Sequence, residues 1–70
     1  MTELFANIPE ETKKGAELVF DAAISTNDLV KATRILTDYT NSITDTDVLE
    51  FVEFYFNMRM ESILYENNNN

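Results

Sequence analysis

Seventy residues make one small domain, and a chain this short buries only about 60% of the surface that its unfolded form exposes. Cysteine and histidine are absent, which excludes disulfide staples, the usual zinc and haem sites, and the Ser-His-Asp and Cys-His catalytic arrangements. Thirteen acidic residues against five basic ones give a formal charge of −8, a field that repels nucleic-acid phosphates and anionic lipid headgroups.

The first helix is expected over about residues 8–24. Asn7-Ile8-Pro9-Glu10 offers a capping side chain, a proline in the first turn and Glu10 at the third helical position. Ala16, Val19, Phe20 and Ala23 share one face, while Glu10, Lys14, Glu17 and Asp21 line the other. Gly15 is the single glycine, and inside a helix it costs about 1 kcal/mol relative to alanine. Either a neighbouring helix approaches closely there or the helix starts after it. One glycine is also too few for a glycine-rich phosphate loop. Ahead of Asn7 no basic segment leads into a long apolar run, so no signal peptide is read.

Ser25, Thr26, Asn27 and Asp28 mark a break, because their side chains satisfy the free donors of a new helix start. The second helix is expected over about residues 27–40. Leu29, Ala32, Ile35, Leu36 and Tyr39 form its apolar stripe, opposite Lys31, Arg34 and Asp38. A polar connection over residues 41–44 follows, and Thr44 with Asp47 matches the capping-box pattern, with aspartate in place of glutamate. Asp45-Thr46-Asp47 resembles the opening of a calcium loop, but no glycine stands at the sixth position, and Val48 and Leu49 occupy sites where that loop needs a turn and oxygen ligands. Helix capping is the reading here.

The third helix is expected over about residues 45–66, roughly 30 Å long, with residues 67–70 as a disordered asparagine tail. Between Val48 and Tyr65 lie ten further large aliphatic, methionine or aromatic residues. At about 100° per residue, Glu50, Glu53, Asn57 and Glu61 gather with Leu64 in a sector of roughly 80°. Leu49, Val52, Phe56, Met60 and Ile63 form one flank. Phe51, Phe54, Tyr55, Met58 and Tyr65 form the other, with Arg59 and Ser62 between. A helix apolar almost all round is either central to its fold or shared with another chain.

The expected architecture is therefore all-α, a small three-helix bundle in which the third helix forms a homodimer interface through Phe51, Phe54, Tyr55, Met58, Arg59 and Tyr65. Arg59 has three readings: snorkelling outward, stacking on Phe56 or Tyr55, or an ion pair across the interface. The aromatic residues read as core and dimer packing rather than base stacking, because the charges beside them are Glu50, Glu53 and Glu61. Glu50 and Glu53, one turn apart, read as a solvated stripe. The Glu-x-x-His ligands of a helical di-metal site are missing. No cofactor and no metal is expected.

These features point to a non-enzymatic protein-binding module. Its acidic surface would consist of Glu10, Glu17, Asp21, Asp45, Asp47, Glu50, Glu53 and Glu61, and the partners would be itself and a basic, nucleic-acid-binding protein. In the sharpest form the carboxylates stand in for DNA phosphates and inhibit that protein. In size, acidity, helicity and lack of catalytic residues the chain is similar in character to phage-encoded proteins that disable host enzymes, a likeness of type with no motif behind it. The alternative is a structural, self-assembling subunit or an antitoxin-like adaptor that binds through the apolar flank of the third helix. Neither direct nucleic-acid binding nor membrane association is expected. The longest apolar runs are three residues, against the ~20 a membrane span requires, and a cytoplasmic location is the expectation.

Overall fold

Three helix-forming stretches separated by short polar breaks become three α-helices in the structure, a computed structural model that describes residues 5–68. Helix α1 spans Glu10–Ser25, α2 spans Leu29–Asn41 and α3 spans Thr46–Asn68, and each touches the other two. Among the described residues there is no strand, and no helix is long and apolar enough to cross a membrane. The Cα envelope measures 36 × 29 × 16 Å. Its thickness is about that of two packed helices, so every helix keeps one face open to solvent.

The helix ends differ from the sequence expectation in instructive ways. Asn7 does not cap α1. Pro9 does, in an extended conformation with φ −61° and ψ 147°, and its carbonyl accepts from the Thr12 and Lys13 N–H groups at 3.1 and 3.2 Å. A residue that precedes proline is disfavoured from helical geometry, so Ile8 stays outside α1 and is free to turn inward. It is buried in the core. Glu10 and Glu11 then occupy the first turn, where the helix dipole favours negative charge.

At the first break each side chain has a separate task. Thr26 ends α1, and its hydroxyl donates to the Ala23 carbonyl at 2.8 Å. Asn27 adopts φ 54°, the left-handed conformation that asparagine tolerates better than most residues. Asp28 caps α2 by accepting from the Lys31 N–H at 3.1 Å. At the second break the capping residue is Asp45 rather than Thr44, since its carboxylate accepts from the Val48 N–H at 3.1 Å. A carboxylate at a helix N-terminus also gains from the dipole, which a threonine hydroxyl does not. At the far end α3 continues through Asn67 and Asn68, two residues beyond the expected stop, while Asn69 and Asn70 lie outside the described residues.

The core lies where the face of α1 that carries Phe20 meets the inner face of α3. Ala16, Phe20 and Ala23 are fully enclosed, as is Val52, and Phe51 and Phe56 are nearly so. Phe20 lies 5.8 Å from the Phe56 ring and 6.3 Å from the Tyr55 ring. Ring contacts then run on without a gap, from Phe54 through Phe5, Phe51, Tyr55, Phe20 and Phe56 to Tyr39. Seven of the eight aromatic residues join this string, leaving out Tyr65. Each such pair is worth about 0.5–1.5 kcal/mol beyond its buried area. From α2, Ala32 is buried, and Leu36 and Tyr39 pack against the cluster. Leu29, expected in the apolar stripe, is instead 73% exposed, because the first turn of α2 stands at the end of the molecule where the chain reverses.

Gly15 lies inside α1, and its nearest neighbour across the interface is the Tyr39 hydroxyl, 3.4 Å from where a Cβ would stand. The close approach is thus made by the tip of a side chain, and a methyl group fits in ordinary contact. Gly15→Ala should raise stability by about 0.5–1 kcal/mol through helix propensity, and the melting temperature by about 3–6 °C. Thermal unfolding followed by circular dichroism checks this, and a lowered melting temperature would mean that Tyr39 cannot move aside.

Candidate functional site

Rotation of α3 about its axis decides which residues are left for a partner. Val52 and Phe56 point into the core, with Val48, Leu49, Met60 and Ile63 half-buried around them. Apart from Val48, these are the residues of the first apolar flank. The second flank is split. Phe51 is buried and Tyr55 and Arg59 are half-buried against α1, whereas Phe54, Met58 and Tyr65 remain 50%, 46% and 70% exposed. Half of the six residues expected at a dimer interface therefore hold the monomer together.

Arg59 shows how that flank is used. Its guanidinium lies 4.6 Å from the Phe20 ring centroid and 5.5 Å from that of Tyr55. It donates to the Tyr55 hydroxyl and, at 3.0 Å, to the Asp21 carboxylate on α1. The stacking reading holds for Tyr55, with Phe20 rather than Phe56 as the second ring, and the carboxylate that Arg59 pairs with belongs to its own chain. Burial alone would lower the Arg59 pKa. The hydrogen bonds from the guanidinium to Asp21 and Tyr55 outweigh it, and the net shift is upward. A raised arginine pKa means that this contribution is complete below the ordinary arginine value and is lost only at more alkaline pH.

All eight carboxylates expected on the partner surface are exposed. Three are already engaged: Glu10 lies 3.8 Å from the Lys13 ammonium, Asp21 binds Arg59 and Asp45 caps α3. The other five do not form a single array. Glu17 borders a cleft between α1 and α3 with Lys13, Phe51 and Tyr55, and Glu53 borders the α2–α3 cleft with Leu36 and Met60. Asp47 and Glu50 stand beside Phe5, Asn7 and Ile8. Together with Glu61, these two fall on the same outer arc of α3 as Phe54, Met58 and Tyr65, about 80° wide. Among the described residues, Asp47, Glu50 and Glu61 are in no ion pair.

That arc contains no cation. Lys13 and Lys14 belong to α1, Lys31 and Arg34 to α2, and Arg59 is turned toward Asp21. The outer face of α3 therefore combines uncompensated negative charge with exposed aromatic and methionine surface. Among the described residues no three carboxylates converge as a metal cage would require. Sequence reasoning missed Phe5 and Ile8, which cover the start of this face from the N-terminal side. The proline after Ile8, which favours an extended approach to the helix, was the available signal.

Comparison with protein-family models, curated proteins and solved structures finds no match for the chain.

Because Asp21 and Arg59 are both partly exposed, their coupling should be below about 1 kcal/mol in a double-mutant cycle of Arg59→Met and Asp21→Ala measured by urea unfolding. Arg59→Met should leave the state of association unchanged. Loss of a dimer with no loss of monomer stability would return Arg59 to an interface.

Proposed function

We propose that the chain is a non-enzymatic binding module that lays the outer face of α3 against a basic surface of another protein. The observation that supports this most directly is the charge segregation on that face: Asp47, Glu50 and Glu61 stand among Phe54, Met58 and Tyr65 with no cation between them. Carboxylates of this kind steer a basic partner and speed its capture, while aromatic and methionine side chains supply the contact area that holds it.

The sharper form of the proposal is inhibition by occupying the nucleic-acid groove of the partner. DNA presents a charge about every 1.7 Å of its axis, whereas three carboxylates spread over residues 47–61 of α3 span about 21 Å. Charge alone is therefore a thin imitation, and the inhibitor must rely on its apolar stripe as well. A second reading, α3 pairing with its own copy or docking as an antitoxin-like adaptor, draws on the same exposed stripe. Self-pairing sets carboxylate against carboxylate, which favours a basic partner over a second copy at this face.

Capture from bacterial lysate with the intact chain as bait tests the proposal. A basic nucleic-acid-binding protein should be retained at low salt and lost as salt rises. Glu50→Gln with Glu61→Gln should flatten the salt dependence, and Phe54→Ala with Met58→Ala should reduce retention at every salt concentration. Salt-resistant recovery of the bait alone would contradict it.

A further inference from the structure

Phe5 borders two clefts at once. One, of about 410 Å³, lies between α1 and α3 and includes Glu17, Phe51 and Tyr55, while the other, of about 200 Å³, lies against Ile8, Asp47 and Glu50. The Phe5 ring meets Phe51 edge-on and Phe54 at a tilt, with 5.3 Å between centroids in each case. Its hold on the body is short. Phe5 itself is half-buried, Ala6 and Asn7 are exposed, and the turn is closed by the Ile8 N–H, which donates to the Phe5 carbonyl at 3.2 Å. Segments with so little burial belong to the part of a protein that opens most readily.

We infer that Phe5 is a placeholder, occupying a seat on Phe51 and Phe54 that an aromatic side chain of the basic partner takes when the two proteins meet. This rests on the binding mode proposed above, and it specifies the partner's contact as an aromatic residue flanked by lysine or arginine. The present occupant shows what fits. A phenyl ring already sits there in the edge-on arrangement that aromatic pairs prefer. The surroundings select the flanking residues, because Glu17 borders one cleft and Asp47 and Glu50 the other, which puts carboxylates on both sides of the ring. Among the described residues Lys13 is the one cation at either cleft, and it lies 3.8 Å from Glu10. A second copy is the poorer donor of a ring, since it would set Asp47 and Glu50 against the same carboxylates. Outward movement of Phe5 joins the two clefts and uncovers Phe54, whose ring contact among the described residues is with Phe5. The partner therefore competes with Phe5. With the open form populated at about 10% or less, this competition weakens binding at least about tenfold.

Calorimetric titration of the full chain at low salt, with the peptide acetyl-Lys-Lys-Phe-Lys-Lys-amide and its counterpart carrying alanine for phenylalanine, tests this. Phe5→Ala should bind the phenylalanine peptide at least about tenfold more tightly than the unaltered chain does, and the alanine peptide no more tightly. Adding Phe54→Ala should remove most of that gain. The chain has no tryptophan, so Phe5→Trp places a single indole in the seat, and its emission should move to the red as the phenylalanine peptide expels it into water. Circular dichroism confirms that each variant is folded, and if Phe5→Ala is not, the indole emission decides alone. Equal affinity of Phe5→Ala and the unaltered chain, or no binding by either, would overturn the inference, as would emission unchanged at saturation. Emission that varies with protein concentration without peptide would put a second copy's ring in the seat and overturn it too. The binding mode itself fails separately, by loss of salt-dependent capture from lysate, whereas capture that persists with no effect of Phe5→Ala on the peptide sinks this inference alone.

Discussion

The enclosure of Phe20 fixes the rotation of α3, and the rotation of α3 fixes what the molecule shows to a partner. Phe20 is surrounded by the rings of Tyr55 and Phe56, with the Arg59 guanidinium laid over it and held there by Asp21, its neighbour in sequence. Full burial of a phenylalanine contributes about 1.5–3 kcal/mol, a large fraction of what a 70-residue domain has in reserve. Ala16 and Ala23 lie on the same face of α1 and are fully enclosed as well. With Val52 and Phe56 committed inward, Phe54 meets only Phe5 within the chain, and Met58, Glu61 and Tyr65 have only solvent or a partner to face.

From this follows an electrical division of labour among the helices. Helix α1 is tied into the core and uses Asp21 to hold Arg59, while α2 is neutral and apolar at its exposed first turn. The outer face of α3 is acidic, aromatic and free of cations. The flat shape matters too, because a body 16 Å thick cannot enclose any of its helices. A thicker bundle would have buried the stripe that the proposed function requires.

Much of the fold was legible in the sequence. The 3.6-residue spacing of Ala16, Phe20 and Ala23 identified the buried face of α1, and the run from Ser25 to Asp28 located the reversal. The split of α3 into two flanks was legible, but not which flank turned inward. Both are equally apolar, and the choice rests on long-range contacts with Phe20 and Asp21 that periodicity does not encode. The caps were misplaced by one or two residues for local reasons, the restriction before Pro9 and the preference for Asp45 over Thr44. Leu29 stands at the margin of the apolar stripe, in the first turn of α2 beside the chain reversal, and is left exposed. The acidic residues of the candidate site were visible one by one, whereas their spread over several faces depended on how the helices pack.

Central to this division is that the inner face of α3 carries the fold, while Met58 and Tyr65 on the outer stripe carry none of it. Urea unfolding at micromolar protein concentration tests this directly by comparing Val52→Ala with the pair Met58→Gln and Tyr65→Gln. Val52→Ala should lose about 2 kcal/mol, from lost burial and the cavity left behind. The outer pair should change stability by no more than about 0.5 kcal/mol, as for other exposed positions. If the outer pair cost as much as the inner substitution, or cost more at lower protein concentration, the stripe would be part of the folded core or of an obligate dimer, and the account would be contradicted.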